Sequence, residues 1–210
     1  MKRTCLLLLA VVCFLLGSGC NGGPAPIPAT RFNVKRCVAK ALEIHDADAD
    51  GSISASELES SPGLSYAAKR ADSSGDGALD KAELAAMVEA WNEKSTGLIE
   101  VRGNVSYKKR PLQGAAVRLE PEPFLEGIVE MAVGVSDEFG DFYLSVPKDK
   151  RPIADAPPGV QLGLYRVVVS KSKDGNETLP SKYNTETVLG QEVSFGDPGV
   201  SNGMVRLELK

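Results

Sequence analysis

Asp46-Ala47-Asp48-Ala49-Asp50-Gly51-Ser52-Ile53-Ser54-Ala55-Ser56-Glu57 is the stretch from which the rest of the chain can be read. Asp72-Ser73-Ser74-Gly75-Asp76-Gly77-Ala78-Leu79-Asp80-Lys81-Ala82-Glu83 repeats its scheme 26 residues later. Oxygen-bearing side chains stand at the first, third and fifth places of each stretch: Asp46, Asp48 and Asp50, then Asp72, Ser74 and Asp76. Gly51 and Gly77 hold the sixth place, where the chain must turn through a backbone shape that a Cβ opposes. Ser52 and Ala78 at the seventh place need offer only a carbonyl, whereas Ser54 and Asp80 at the ninth act directly or through water. Glu57 and Glu83 close the shell with two oxygens each. Such a crowd of negative charge, with oxygen donors only, selects Ca²⁺ over Zn²⁺, and the ligand number is too large for Mg²⁺. Two Ca²⁺ ions are expected.

Upstream, Val34, Cys37, Val38, Ala41 and Leu42 recur at helical spacing behind Asn33, a natural N-cap. A short exit helix ends at Ser61-Pro62-Gly63, another helix runs near Ser65–Ala71, and a last one reaches about Lys94 with Leu84, Met87, Val88 and Trp91 as its apolar stripe. Trp91 therefore reads as packing. Ile53 and Leu79, both at the eighth place, are expected to pair as a short antiparallel bridge that couples the two loops. Over roughly residues 33–94 the sequence resembles the compact paired EF-hands of secreted bacterial proteins. A dockerin module, which also duplicates a calcium loop, is the rival resemblance. Dockerins lack the entering helix and usually end the loop in Asp, so Glu57, Glu83 and the helix at 33–44 favour an EF-hand pair.

Beyond Thr96 the apolar period changes from helical to two. Ile99, Val101, Val105 and Tyr107 fall on one face, and further strand-like runs follow at 115–120, 128–136, 141–146, 162–170, 187–195 and 203–209. The fold class expected is α+β in two domains, an all-α EF-hand pair at 31–96 followed by a seven-stranded antiparallel β-sandwich at 97–210. Several pieces carry a second resemblance: Gly103-Asn104-Val105, Pro111 to Val117, Ser136 to Phe142, Gly163 to Val169 and Leu179 to Tyr183. These are similar to the transthyretin-like, carboxypeptidase-regulatory-like sandwich of bacterial envelope lipoproteins. That resemblance implies a non-catalytic module for display, spacing or docking.

The N-terminus addresses the chain. Lys2 and Arg3 precede the twelve apolar residues Cys5–Leu16 and then Gly17-Ser18-Gly19-Cys20. This is a secretory signal pattern, too short for a permanent span, which needs about 20 residues. Gly19-Cys20 resembles the lipobox of bacterial lipoproteins, with Gly17 where that family prefers Leu. The resemblance implies a signal peptide over 1–19, a lipid on Cys20, and a membrane partner reached through that lipid. Residues 20–30, rich in Pro and Gly, then read as a tether. An outer-membrane or surface position is expected over the inner membrane, because Asn21 is not the Asp that retains some lipoproteins there. Cys37 is left as a buried thiol with no disulfide partner.

Composition narrows the activity. A net charge of −4 lacks the basic surplus that phosphate backbones require, which excludes nucleic acid as a partner, and a single histidine removes His-pair zinc chemistry. There is no phosphate-binding Gly-rich loop ending in Lys-Ser/Thr and no Cys-x-x-Cys. His45 reads as an exposed flank of the first loop, and Asp137-Glu138 as turn formers. The expectation is a calcium-binding, lipid-anchored, non-enzymatic envelope protein whose sandwich meets another envelope protein or a matrix polymer. An accessory subunit or cryptic enzyme acting on extracellular polymers is the alternative.

Overall fold

Asn33 begins the ordered helical part by accepting a hydrogen bond from the Arg36 N–H at 3.0 Å, and helix α1 (Val34–His45) follows with Cys37, Ala41 and Leu42 buried. The structure, a computed structural model, describes residues 26–94, 96–153 and 155–210. The signal segment 1–19, Cys20 and the first half of the tether lie outside the described residues. After the first loop come β1 (Ser52–Ile53) and the single turn α2 (Ala55–Leu58). Helix α3 (Pro62–Ala71) starts earlier than the apolar pattern suggests. Pro62 opens it rather than closing the helix before it, because the first helical position has no intrahelical use for an N–H, and Ser61 caps Leu64 N–H at 3.4 Å. The second loop carries β2 (Leu79–Asp80), and α4 (Lys81–Glu93) leaves it with Asp80 capping the N–H groups of Ala82 and Glu83.

The second half contains β3 (Val101–Tyr107), β4 (Arg110–Pro111), β5 (Ala116–Pro121), β6 (Ala132–Val135), β7 (Asp141–Leu144), β8 (Gly163–Ser170), β9 (Ser172–Lys173), β10 (Asn176–Glu177), β11 (Gly190–Val193), α5 (Pro198–Ser201) and β12 (Val205–Leu209). One antiparallel sheet has the order β11-β8-β5-β6. In the other, β3 is flanked by β12 on one side and by β4 and β7 on the other. Val133 and Ser145 exchange two backbone hydrogen bonds that join the sheets along one side. Val117, Leu119, Phe142, Tyr165, Val167 and Val169 fill the space between, and the Tyr165 hydroxyl donates to the Gln161 carbonyl at 2.8 Å.

Two expectations need correction. The first unit is not all-α, since β1 and β2 form a ladder within it. Among the described residues the second unit has ten strands rather than seven, with α5 added, and it is not wholly antiparallel: β12 runs parallel to β3. The alternation of Val205, Leu207 and Leu209 reports which face is buried but is blind to strand direction, which explains the miss.

The helices and sheets share one continuous buried core, with α3 packed across β11 and β8. The buried Glu122 accepts the Gly63 N–H at 2.5 Å, and Gly190 lies so close to the Pro62 carbonyl that a Cβ would collide with it. The end of the expected tether is also bound: Thr30 accepts from Gln161, and Ile27 and Pro28 lie against Gly97. Phe32 is buried on Trp91 with ring centroids 5.2 Å apart. No helix among the described residues is long and apolar enough to cross a membrane.

Candidate metal centre

The two loops have the same internal geometry. In the first, Asp46 Oδ2 accepts the Gly51 N–H at 2.9 Å; in the second, Asp72 Oδ2 accepts the Gly77 N–H at 2.9 Å. Asp50 Oδ1 takes the Ser52 N–H at 2.8 Å, and Asp76 Oδ1 takes the Ala78 N–H at 2.9 Å. Both glutamates fold back over their loops. Glu57 accepts the N–H groups of Ala47 and Ser54 at 2.5 and 2.8 Å, and Glu83 accepts those of Ser73 and Asp80 at 2.9 and 3.2 Å. Each of these bonds thus links the same two places in both loops, so the repeat in sequence is a repeat in space.

The backbone accounts for the residue choices. Gly51 and Gly77 have φ of 95° and 85°, the left-handed region that the turn requires. The fourth place is left-handed as well, with Gly75 at 75° and Ala49 at 59°. Alanine there is strained where glycine is free, a departure that ligand spacing alone does not reveal. Ser52 pairs with Asp80 and Ile53 with Leu79 across β1 and β2, and both apolar residues are fully buried. The expected bridge between the loops is therefore present.

Carboxylate oxygens from Asp46, Asp48 and Asp50 lie within 4.8 Å of one another. A Ca²⁺–oxygen distance of about 2.3–2.6 Å places oxygens of one shell at most ~5 Å apart, so these three fit a single ion of that size. Ser54 donates its hydroxyl to Glu57 Oε2 at 2.7 Å and Ser52 to Asp50 Oδ1 at 2.7 Å, which leaves the Ser52 carbonyl as its ligand group. In the second loop Ser74 replaces the middle acid and donates to Asp72 Oδ1 at 3.2 Å, and Ala78 offers only its carbonyl. Asp80 Oδ1 is occupied by the Ala82 and Glu83 N–H groups, so only its other oxygen remains toward the loop.

Hydrogen bonds favour the charged form of three of the loop acids, Glu57, Asp72 and Glu83. The Ser54 hydroxyl and N–H, joined by the Ala47 N–H, lower the pKa of Glu57. The Gly77 N–H does so for Asp72, and the Ser74 N–H leads for Glu83. The anionic state that binds a cation is thus favoured before the ion arrives.

His45 departs from its expected exposure. It is buried, with Nδ1 3.2 Å from Ser60 Oγ, and burial lowers its pKa. Ser60 itself donates to the Glu57 carbonyl at 2.8 Å, so the imidazole fastens α1 to the segment that leaves the first loop. Cys37 is buried as expected, and its surroundings raise its thiol pKa.

An EF-hand family model matches residues 39–60, which hold the last turns of α1, the whole first loop and α2. No curated protein and no solved structure matches the chain. The family match, the converging aspartates and the glutamate closing the loop support an EF-hand module with a capacity for calcium.

Proposed function

We propose that this is a secreted, lipid-anchored envelope protein that binds two Ca²⁺ ions and uses its β-sheet half for non-catalytic contact with another envelope protein or a matrix polymer. The repeated hydrogen-bond scheme of the two loops carries the reading: the second loop has the same closure as the first, although the family match stops at residue 60. Asp46, Asp48, Asp50, Ser52, Ser54 and Glu57 would hold one ion, and Asp72, Ser74, Asp76, Ala78, Asp80 and Glu83 the other. Bound calcium supplies positive charge that offsets the clustered carboxylates and fixes both loops.

The anchor rests on sequence: Lys2, Arg3, the apolar run and Gly19-Cys20. Support for the transthyretin-like, carboxypeptidase-regulatory-like assignment comes from the quoted motifs and from the two packed sheets they fall in. Calorimetric titration of the full chain with Ca²⁺ tests the metal reading, and two ions per chain is the expected result. A single ion would leave the first loop alone as the site. Cys20→Ala should abolish palmitate labelling and membrane association; normal labelling of that variant would refute the lipid anchor.

A further inference from the structure

The helices that enter and leave the second loop are joined by one carboxylate from the sheet half. Arg70, in the last turn of α3, donates from Nη2 to Glu192 Oε2, and Trp91 on α4 donates its indole N–H to Glu192 Oε1 at 3.0 Å. Glu192 belongs to β11, and its side chain is only 9% exposed. A second buried acid reinforces the joint. Asp197 Oδ2 accepts the Tyr66 hydroxyl at 2.7 Å and lies 3.5 Å from Arg70 Nη1, while its Oδ1 accepts from Gln191 Nε2 and Val200 N–H at 3.0 Å. Arg70 Nη1 also donates to the Gly196 carbonyl at 2.8 Å.

In sensor EF-hands, calcium swings the entering and leaving helices apart and exposes an apolar groove between them. Here that swing would draw Arg70 away from Trp91 while both are bonded to Glu192. At least one charge-assisted hydrogen bond would break, and a buried carboxylate would lose a partner, the costliest kind of unsatisfied group. Leu162 and Phe195 of the sheet half line a cavity together with Ala86, Met87 and Trp91 of α4.

We propose that Glu192 is a positioning residue for the second calcium site. It clamps α3 to α4 in the geometry that receives the ion, so calcium there tightens the chain without opening the helix pair. The clamp rests on the reading of Asp72–Glu83 as an ion site, and it makes calcium a structural component of this protein rather than a signal. Holding the competent geometry in advance removes the affinity loss that a partly populated geometry imposes.

The test uses the full chain in a Glu57→Gln background, which weakens the first loop so that the second fills first, with Ca²⁺ followed by calorimetry, hydrogen exchange and the emission of Trp91, the single tryptophan. With Glu192 intact, calcium should slow exchange across α3, α4 and β11 and leave the Trp91 emission maximum in place. Glu192→Ala should weaken the site about tenfold and make the emission maximum respond to calcium, with Glu192→Gln intermediate because it still accepts the indole N–H. Trp91→Phe keeps an aromatic ring at the position but removes the N–H, and it should weaken the site in the same direction should Glu192→Ala fail to fold. The proposal falls if calcium shifts Trp91 emission with Glu192 intact, or if neither Glu192→Ala nor Trp91→Phe changes affinity. Absence of any binding heat in the Glu57→Gln chain would instead refute the ion site itself, and the clamp with it.

Discussion

On the proposed reading Glu57 and Glu83 would each bring two oxygens to a loop whose other ligands bring one, so a change there would remove the largest single share of a shell. Glu57→Gln and Glu83→Gln should each weaken their own site at least about tenfold, ~1.4 kcal/mol, as read by calorimetric titration. A smaller loss should reach the other loop through the Ile53–Leu79 pair. Acid should act on the same groups. The pKa values of Glu57, Asp72 and Glu83 are lowered in the fold, so the stability they contribute is complete above their unfolded values of 4.5, 3.8 and 4.5 and disappears as pH falls through the folded ones. Melting temperature in chelator should therefore hold from neutrality to about pH 5 and decline below it. Glu122 has the opposite sign: burial raises its pKa, so its ionisation costs stability as pH rises from its unfolded value of 4.5. Glu122→Gln, which keeps an acceptor for the Gly63 N–H, should flatten that part of a stability-against-pH curve.

Helix α3 is the element on which both halves depend. It carries the entry to the second loop at one end, and at the other Pro62 and Gly63 touch Gly190 of β11 and Glu122, which follows β5. Gly190→Ala would place a methyl group in the Pro62 carbonyl, which belongs to backbone and cannot rotate aside. The expected cost is about 1–3 kcal/mol in chemical denaturation, typical of overpacking, with the loss shared by helix and strand signals in circular dichroism. Strand β8 foretold this contact in its composition. Leu164, Tyr165, Val167, Val168 and Val169 are nearly continuous apolar residues, all buried, as in a strand covered on both faces. Read only for its period of two, the same run looks like an ordinary sandwich strand, and the element lying over it stays hidden.

A shared core predicts that the molecule unfolds as a single cooperative body. Calcium at one site held at 100 times its dissociation constant contributes about 2.7 kcal/mol, or ~5–10 °C in melting temperature for a chain of this size. That shift should appear in one transition that includes the β-sheet signal, although both loops lie in the helical half. Two separate transitions, only one of them moved by calcium, would contradict a common core. Residues 98–210 expressed alone would expose Leu164 and leave Glu192 and Asp197 without Tyr66, Arg70 and Trp91. Such a fragment should lose sharp melting and aggregate on heating, which light scattering would detect.

What the sequence determined by itself is local. Ligand spacing, the glycine at the sixth place, the N-caps at Asn33 and Asp80 and the period of each strand act within a dozen residues, where chain geometry leaves few choices. The loops, the bridge between Ile53 and Leu79 and the main strand positions were legible on that basis. Strand direction at β12, the burial of His45, the docking of α3 and the clamp at Glu192 belong to the tertiary structure. Arg70 and Glu192 stand 122 residues apart, and Trp91 and Glu192 101, so no periodicity brings them together. They meet because covering the apolar outer face of β8 and β11 removes water from acids that then require partners, and the fold supplies those partners from the two helices flanking a calcium loop.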